Sequence, residues 1–195
     1  MSVSGDDLSD RIRACRLCQA FLPLPPKPVF QLHADARILI AGQAPGLRAH
    51  ESGKPFDDVS GQRLRSWMGI SERTFYDPTQ VAILPMGFCY PGKGCSGDLP
   101  PRPECAEAWR DSVLATLNHL QLILVIGRYA LDWHLPDHRG MSLADVVSQG
   151  YRTEQGIFPL PHPSPRNNRW LKQHPWFEQN LLPRLREQIS RALQV

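Results

Sequence analysis

Short apolar runs alternate along this chain with longer stretches in which apolar residues recur at helical spacing. Four of the runs are rich in branched aliphatic residues and are short enough to be buried strands. We predict strands over 38–41, 81–84, 122–126 and 157–160, with Pro159 indicating an edge position for the last. Helical spacing predicts helices over 8–17, 104–120, 142–147 and 177–193, and a shorter one through Leu64, Trp67 and Met68.

Strands that alternate with helices indicate a parallel sheet covered on both faces. We therefore predict an α/β fold, a three-layer α/β/α sandwich around a four-stranded, mainly parallel sheet. The chain has 195 residues, 42% of them apolar, which suits one well-buried domain over 1–195. It has no apolar run of about 18 residues and starts with an acidic, polar segment, so we expect no transmembrane helix, no signal peptide and a cytoplasmic location.

The formal charge of +3 permits an anionic partner without requiring one. Its distribution is more informative, because the segment after Ser164 has a basic bias beside a loop rich in Pro and Asn.

A chemically distinctive segment follows each predicted strand. Because the carboxyl ends of parallel strands meet at one edge of a sheet, we expect these segments to converge; they are 42–46, 86–89, 127–128 and 161–165. The glycines in 42–46 allow backbone amides to approach a ligand closely. For any one segment, a plain turn that needs Gly and Pro is an equally good interpretation.

Four of the five cysteines are candidate metal ligands. Cys15 and Cys18 form a Cys-x2-Cys pair. Cys89 lies near the start of a loop rich in Pro and Gly over 85–103, and Cys105 lies just after its end. Without a secretory signal, such thiols indicate a metal rather than disulfides. An iron–sulfur cluster and tetrahedral zinc both fit, and ordinary buried cysteines are the alternative. Cys95 is expected to be incidental, or to replace Cys89.

Taken together, these segments resemble the uracil-DNA glycosylase superfamily, most closely its iron–sulfur family 4 branch. The resemblance extends from Cys15 to the last helix and is carried, in order, by Gly42-Gln43-Ala44-Pro45-Gly46, by Gly53-Lys54-Pro55-Phe56 with Gly61, by Leu124-Val125-Ile126-Gly127 with Ala130, and by His162-Pro163-Ser164. It implies a monofunctional DNA glycosylase that hydrolyses the N-glycosidic bond of uracil or another deaminated base in DNA. It also implies a [4Fe-4S] cluster, with zinc as the alternative, on Cys15, Cys18, Cys89 and Cys105. We expect the protein to be a monomer.

The resemblance assigns a role to each segment. Phe56 would stack on a base extruded from the duplex, and His162 would donate a hydrogen bond to the departing base. The base site would be completed by Gly42, Gln43, Ala44 and Met86. A loop of Ser164, Pro165, Arg166 and Asn167 would press into the minor groove and contact phosphate. Alternatively, Phe56 is a core residue, His162 is a structural residue and the loop over 164–167 is a solvated turn.

The sequence departs from the family pattern at several positions. Gln43 replaces a Glu, Ala49 and His50 replace an acidic pair, and Pro85 replaces the Asn that reads the edge of uracil. Gln43 cannot be a carboxylate base, but it can position a water.

Asp57 or Asp58 is the next candidate for orienting the water, although both are equally suited to capping the following helix. His50 is a weaker candidate for acid–base work. The alternative functions are a noncatalytic nucleic-acid-binding member of the same fold and a nucleotide- or phosphate-binding α/β protein.

Overall fold

The computed structural model describes residues 5–95, 97–150, 152 and 156–194. Its strands are β1 (Ile38–Ala41), β2 (Val81–Ile83), β3 (Lys93–Gly94), β4 (Gly97–Asp98), β5 (Leu122–Ile126) and β6 (Ile157–Leu160). Four of them form a fully parallel sheet in the order β2-β1-β5-β6, and β3 pairs with β4 in a separate antiparallel hairpin.

All four predicted strands are confirmed, and β6 lies at the edge that Pro159 indicated. The register pairs Ile40 with Ile83 on one side and with Leu124 on the other. Every residue of β1 is buried, as expected of a central strand covered by helices on both faces.

The described helices are α1 (Gly5–Arg13), α2 (Leu47–Ser52), α3 (Val59–Met68), α4 (Glu72–Phe75), α5 (Pro103–Leu114), α6 (Arg128–His134), α7 (Leu143–Ser148), α8 (Asn168–Gln173) and α9 (Leu182–Leu193). A π-helical turn over Phe177–Leu181 leads directly into α9. No helix within the described ranges is long and apolar enough to cross a membrane.

Side chains from β1 alternate between two cores, which establishes the predicted layers. Ile38 and Ile40 pack in the core that contains residues of α3 and α9, including Leu64 and Leu185. Leu39 packs in the opposite core with residues of α1 and α5. A third cluster joins Ala41 to α6 and α7. The α/β/α prediction is therefore confirmed.

Several predicted element boundaries were wrong. The first helix ends at Arg13, which leaves Cys15 and Cys18 in the following turns, and α5 ends at Leu114, six residues early. The predicted helix over 142–147 is confirmed as α7, whereas α2, α4, α6 and α8 were not predicted, because four to seven residues span at most two turns and give only a weak helical period. The hairpin of β3 and β4 was assigned to a loop, since each strand has only two residues.

Candidate functional site

A cavity opens beyond the carboxyl end of β1. Two of the four predicted segments, 42–46 and 161–165, contribute to its lining, whereas no residue of 86–89 or 127–128 is among the described lining residues. Four parts of the chain supply most of its lining: the glycine-rich turn 42–46, residues 55–56 and 58–60 before and at the start of α3, the hairpin at Gly97 and Asp98, and the loop over 162–167 apart from Pro163. A glycine-lined crevice at this position is where open parallel sheets bind ligands.

The glycine-rich turn is anchored through its carbonyl groups. Gly42 O accepts a hydrogen bond from Met86 N at 2.9 Å, and Gln43 O accepts one from Gly87 N at 3.0 Å. Within the described residues, the backbone N–H groups of Gln43 and Ala44 donate no hydrogen bond. The turn therefore offers two amide donors at the cavity wall.

Phe56 lines the cavity with a backbone that only a constrained loop can hold. Its φ of +54° is the one positive value found at a non-glycine residue in the described chain. The Tyr76 hydroxyl contacts Pro55 O and Phe56 O at 3.0 and 3.2 Å. The Phe56 ring meets Phe75 edge to face, with centroids 6.2 Å apart. Such strain at a half-buried aromatic is typical of functional sites.

His162 also lines the cavity and is held in one tautomer. Ser164 N donates to His162 Nδ1 at 3.2 Å, so Nδ1 is an acceptor and Nε2 carries the proton of the neutral ring. Burial lowers the pKa of His162, an effect that the charges of Asp58 and Asp98 partly oppose. Nε2 has no hydrogen-bond partner in the described chain, so it remains a free donor.

The loop after His162 is held in place by hydrogen bonds within the loop and by one from α3. Asn167 Nδ2 donates to His162 O at 2.7 Å, and Arg166 N donates to Ser164 Oγ at 3.3 Å. Arg63 of α3 donates to Ser164 O at 3.2 Å. The three residues predicted to contact DNA, Ser164, Arg166 and Asn167, all line the cavity. The Asn167 side-chain amide, however, is used to hold the backbone of His162.

The two candidate carboxylates after Phe56 have different positions. Asp58 is the N-cap of α3, where its Oδ1 accepts from Gly61 N at 2.8 Å, and it also lines the cavity. Asp57 is not among the described lining residues, and its charge acts on Lys54 and Tyr76. The capping interpretation of Asp58 is thus confirmed, whereas Asp57 is not part of the described lining.

Of three further positions considered from the sequence, one lines the cavity and two do not. Pro85 lines the cavity. Met86 does not; it is 5% exposed and packs in the cluster with Ala41, because its backbone is tied to Gly42. His50 lies outside the described lining, where its buried Nδ1 has no partner and burial lowers its pKa.

The four predicted metal ligands line a second cavity, between the end of α1 and the loop after β2. It contains Cys15, Cys18, Cys89 and Cys105, whereas Cys95 is exposed elsewhere. Burial raises the pKa of Cys89 to about 11 and that of Cys105 to about 12, with neighbouring thiols adding to both effects.

The donor set of the second cavity suits a thiolate-bound group. Trp109 also lines it, and its buried Nε1 has no hydrogen-bond partner within the described chain. Among the described residues, however, no set of three or more His, Cys, Asp or Glu side chains has the arrangement of a metal site. The four thiols share a cavity without forming such a site in this conformation.

Two charged residues that line the first cavity were not predicted from the sequence. Asp98 comes from β4 and Arg48 from α2, both elements that were assigned to loops or left unassigned. No local pattern marks either residue, because only the folding of the hairpin and of α2 against the glycine-rich turn brings them there.

The comparison with known families agrees with this geometry. The sequence model of the uracil DNA glycosylase superfamily matches residues 30–186, which include every described residue that lines the cavity except Val29. Superfamily membership indicates DNA glycosylase activity. From the extent of this match, together with the parallel sheet and the cavity at its carboxyl edge, we conclude that the chain belongs to the uracil DNA glycosylase superfamily.

Proposed function

We propose that this protein is a monofunctional DNA glycosylase that hydrolyses the N-glycosidic bond of uracil or another deaminated base in DNA. One observation carries the proposal: Phe56, His162 and the free amides of the glycine-rich turn line the same cavity. An aromatic face, a neutral imidazole donor and backbone donors are the groups needed to hold a base and to stabilise it as it leaves.

The target base is unreachable inside duplex DNA, so it must first be extruded into the cavity. Phe56 stacks on one face of the extruded base, a contact typically worth about 1 to 3 kcal/mol per base. The N–H groups of Gln43 and Ala44 donate to a carbonyl oxygen of the base. Because Pro85 and Met86 supply no polar side chain to read the base edge, selectivity depends on these backbone donors and on shape.

Cleavage separates the base from C1′ of the sugar, and the bonding electron pair leaves with the base. His162 Nε2 donates a hydrogen bond to the base oxygen on which negative charge develops, which lowers the barrier electrostatically. A neutral ring is suited to this step, because it is a donor that needs no proton from solvent. Gln43 is the candidate for positioning the water that then attacks C1′.

The loop over 164–167 contacts the DNA strand that carries the lesion. Arg166 supplies the cationic group for phosphate, and Ser164 supplies a hydroxyl, whereas Asn167 positions His162. Arg48 at the cavity rim is a second candidate for phosphate contact.

The test uses single- and double-stranded oligonucleotides that carry one uracil, hypoxanthine or xanthine. We expect the wild-type protein to leave alkali-labile abasic sites with at least one lesion, and His162→Ala to lose about 10²- to 10³-fold in rate. His119→Ala is the matched control, since that side chain is 64% exposed. Absence of product from every lesion, with folded protein, would exclude the enzymatic function.

A second candidate function is noncatalytic binding to nucleic acid. Two observations favour it: Gln43 is neutral, and Asp58 Oδ1 is engaged in capping α3. In the same experiment, tight lesion binding with no abasic product would support this candidate.

We further propose that Cys15, Cys18, Cys89 and Cys105 hold a [4Fe-4S] cluster, with zinc as the alternative. Support comes from the four thiols around one cavity and from the unpartnered Trp109 Nε1 beside them. Thiolate ligation would require these sulfurs to move closer and lose their protons. Such a group would join α1 to the loop after β2 and take no part in catalysis.

Metal analysis of protein purified without oxygen separates the alternatives. Iron with acid-labile sulfide supports the cluster, and stoichiometric zinc supports a zinc site. Purified protein that contains neither iron nor zinc would contradict the proposed metal site. Cys105→Ser should lower the metal content, whereas Cys95→Ser should not.

We also propose that the protein is a monomer and has a cytoplasmic location. Sedimentation analysis tests the monomeric state.

A further inference from the structure

The hairpin of β3 and β4 places a carboxylate on the cavity wall. Asp98 ends β4 opposite Lys93 and lines the same cavity as His162 and Phe56. Its Oδ2 is close to the glycine-rich turn, since a Cβ built on Gly46 would lie 3.5 Å from it. The Asp98 carboxylate is therefore within van der Waals reach of the glycine-rich turn.

Contacts on both sides hold the hairpin against the site. Gln43 Nε2 donates to Leu99 O at 3.3 Å, and Leu99 N donates to Gly92 O at 2.8 Å. On the other side, the guanidinium of Arg166 packs so closely on Gly97 that a Cβ there would lie 1.9 Å from Nη1. Asp98 is therefore positioned by the same residues that form the site.

Asp98 is the carboxylate in the described lining that is free to act. The Asp58 carboxylate accepts from Gly61 N as a helix cap, and Asp57 does not line the cavity. The Asp98 carboxylate accepts no hydrogen bond from the described chain, and its charge, like that of Asp58, acts on the His162 ring. A free carboxylate at this position can accept from a water or face a developing cation.

We propose that Asp98 is a catalytic residue of this site, which accepts a hydrogen bond from the attacking water and stabilises the positive charge that develops on the sugar. This inference rests on the proposed glycosylase function. The C1′–N bond breaks and its electron pair leaves on the base. The water oxygen bonds to C1′, its proton passes to the Asp98 carboxylate and then to solvent, and the released base anion takes up a proton from solvent.

The test compares Asp98→Asn and Asp98→Ala with wild type on an oligonucleotide lesion that wild type cleaves. We expect the single-turnover rate to fall by about 10²- to 10⁴-fold. For Asp98→Asn, the affinity for the same oligonucleotide with a non-cleavable nucleotide analogue should stay within about threefold of wild type, because a side-chain amide keeps the shape of the wall. Asp111→Asn, an exposed carboxylate on α5, is the matched control.

Two further results separate catalysis from structure. Formate added to Asp98→Ala should restore part of the rate, because a small carboxylate can occupy the vacated space, whereas chloride at equal ionic strength should not. If Asp98→Asn cleaves the lesion at a rate within about threefold of the wild-type rate, the role of Asp98 is overturned and the proposed function remains intact. Wild-type protein that cleaves no lesion would overturn both.

Discussion

A Cβ atom built on Gly61 would lie 1.8 Å from the carbonyl oxygen of Phe56. Since this oxygen also interacts with the Tyr76 hydroxyl, the loop that presents the Phe56 ring packs directly on the first turn of α3. Any side chain at position 61 must push that loop away.

Gly61→Ala is therefore expected to lower the free energy of unfolding by about 1 to 3 kcal/mol, the usual effect of overpacking. It should also weaken binding of lesion-containing DNA, because the ring is displaced. Urea unfolding and fluorescence anisotropy measure the two effects. Gln62→Ala, at the next and exposed position of α3, is the control; equal stability and affinity in both variants would contradict the packing argument.

Phe56→Ala tests the stacking role separately from the loop. We expect the affinity for an oligonucleotide with a non-cleavable lesion to fall by about 1 to 3 kcal/mol, since one base–aromatic contact is removed. Phe56→Tyr should retain most of the affinity, because it retains an aromatic face. If Phe56→Leu binds as well as wild type, the ring is a core residue rather than a base platform.

Asp58 contributes to stability through the cap of α3. Asp58→Ala removes the acceptor for Gly61 N and is expected to lower the free energy of unfolding by about 0.5 to 2 kcal/mol. Asp58→Asn should lie near wild type, because Asn is an equally good N-cap. Equal unfolding midpoints for Asp58→Ala and wild type would show that the cap contributes nothing measurable.

The Arg110–His134 pair predicts how stability depends on pH. Arg110 is 2% exposed; it donates to Leu84 O at 2.6 Å, and its Nη2 lies 2.7 Å from His134 Nε2. Burial and the Arg110 charge lower the pKa of His134 from 6.5 to about 3. The unfolded chain therefore binds a proton at pH values where the folded chain does not.

Between these two pKa values, the free energy of unfolding should fall with decreasing pH, by up to about 1.4 kcal/mol per pH unit from this group. His134→Gln keeps an acceptor for Arg110 and does not titrate, so its stability should decline less steeply as the solution is acidified from pH 6.5. Urea unfolding across this range measures the slope. His119→Gln, which changes an exposed ring, should keep the wild-type slope.

Much of the architecture could be predicted from local sequence. Apolar runs such as 122–126 identified all four sheet strands, because a strand buried on both faces leaves a continuous apolar pattern. The position of Pro159 indicated the edge, because proline cannot donate to the ladder. Short helices were predicted unevenly: α7 was predicted from its spacing, whereas α2 and α6 were not, since six or seven residues span at most two turns and give only a weak helical period.

The order of apolar runs and turns determined the parallel sheet and the convergence of its carboxyl ends, because burial and turn chemistry are local properties of the chain. Only the tertiary structure decided which side chains share the cavity. It placed Asp98 beside the glycine-rich turn, engaged Asp58 in a helix cap and turned Met86 into the core. These outcomes depend on contacts between residues far apart in sequence, such as Gln43 with Leu99, which no local pattern records.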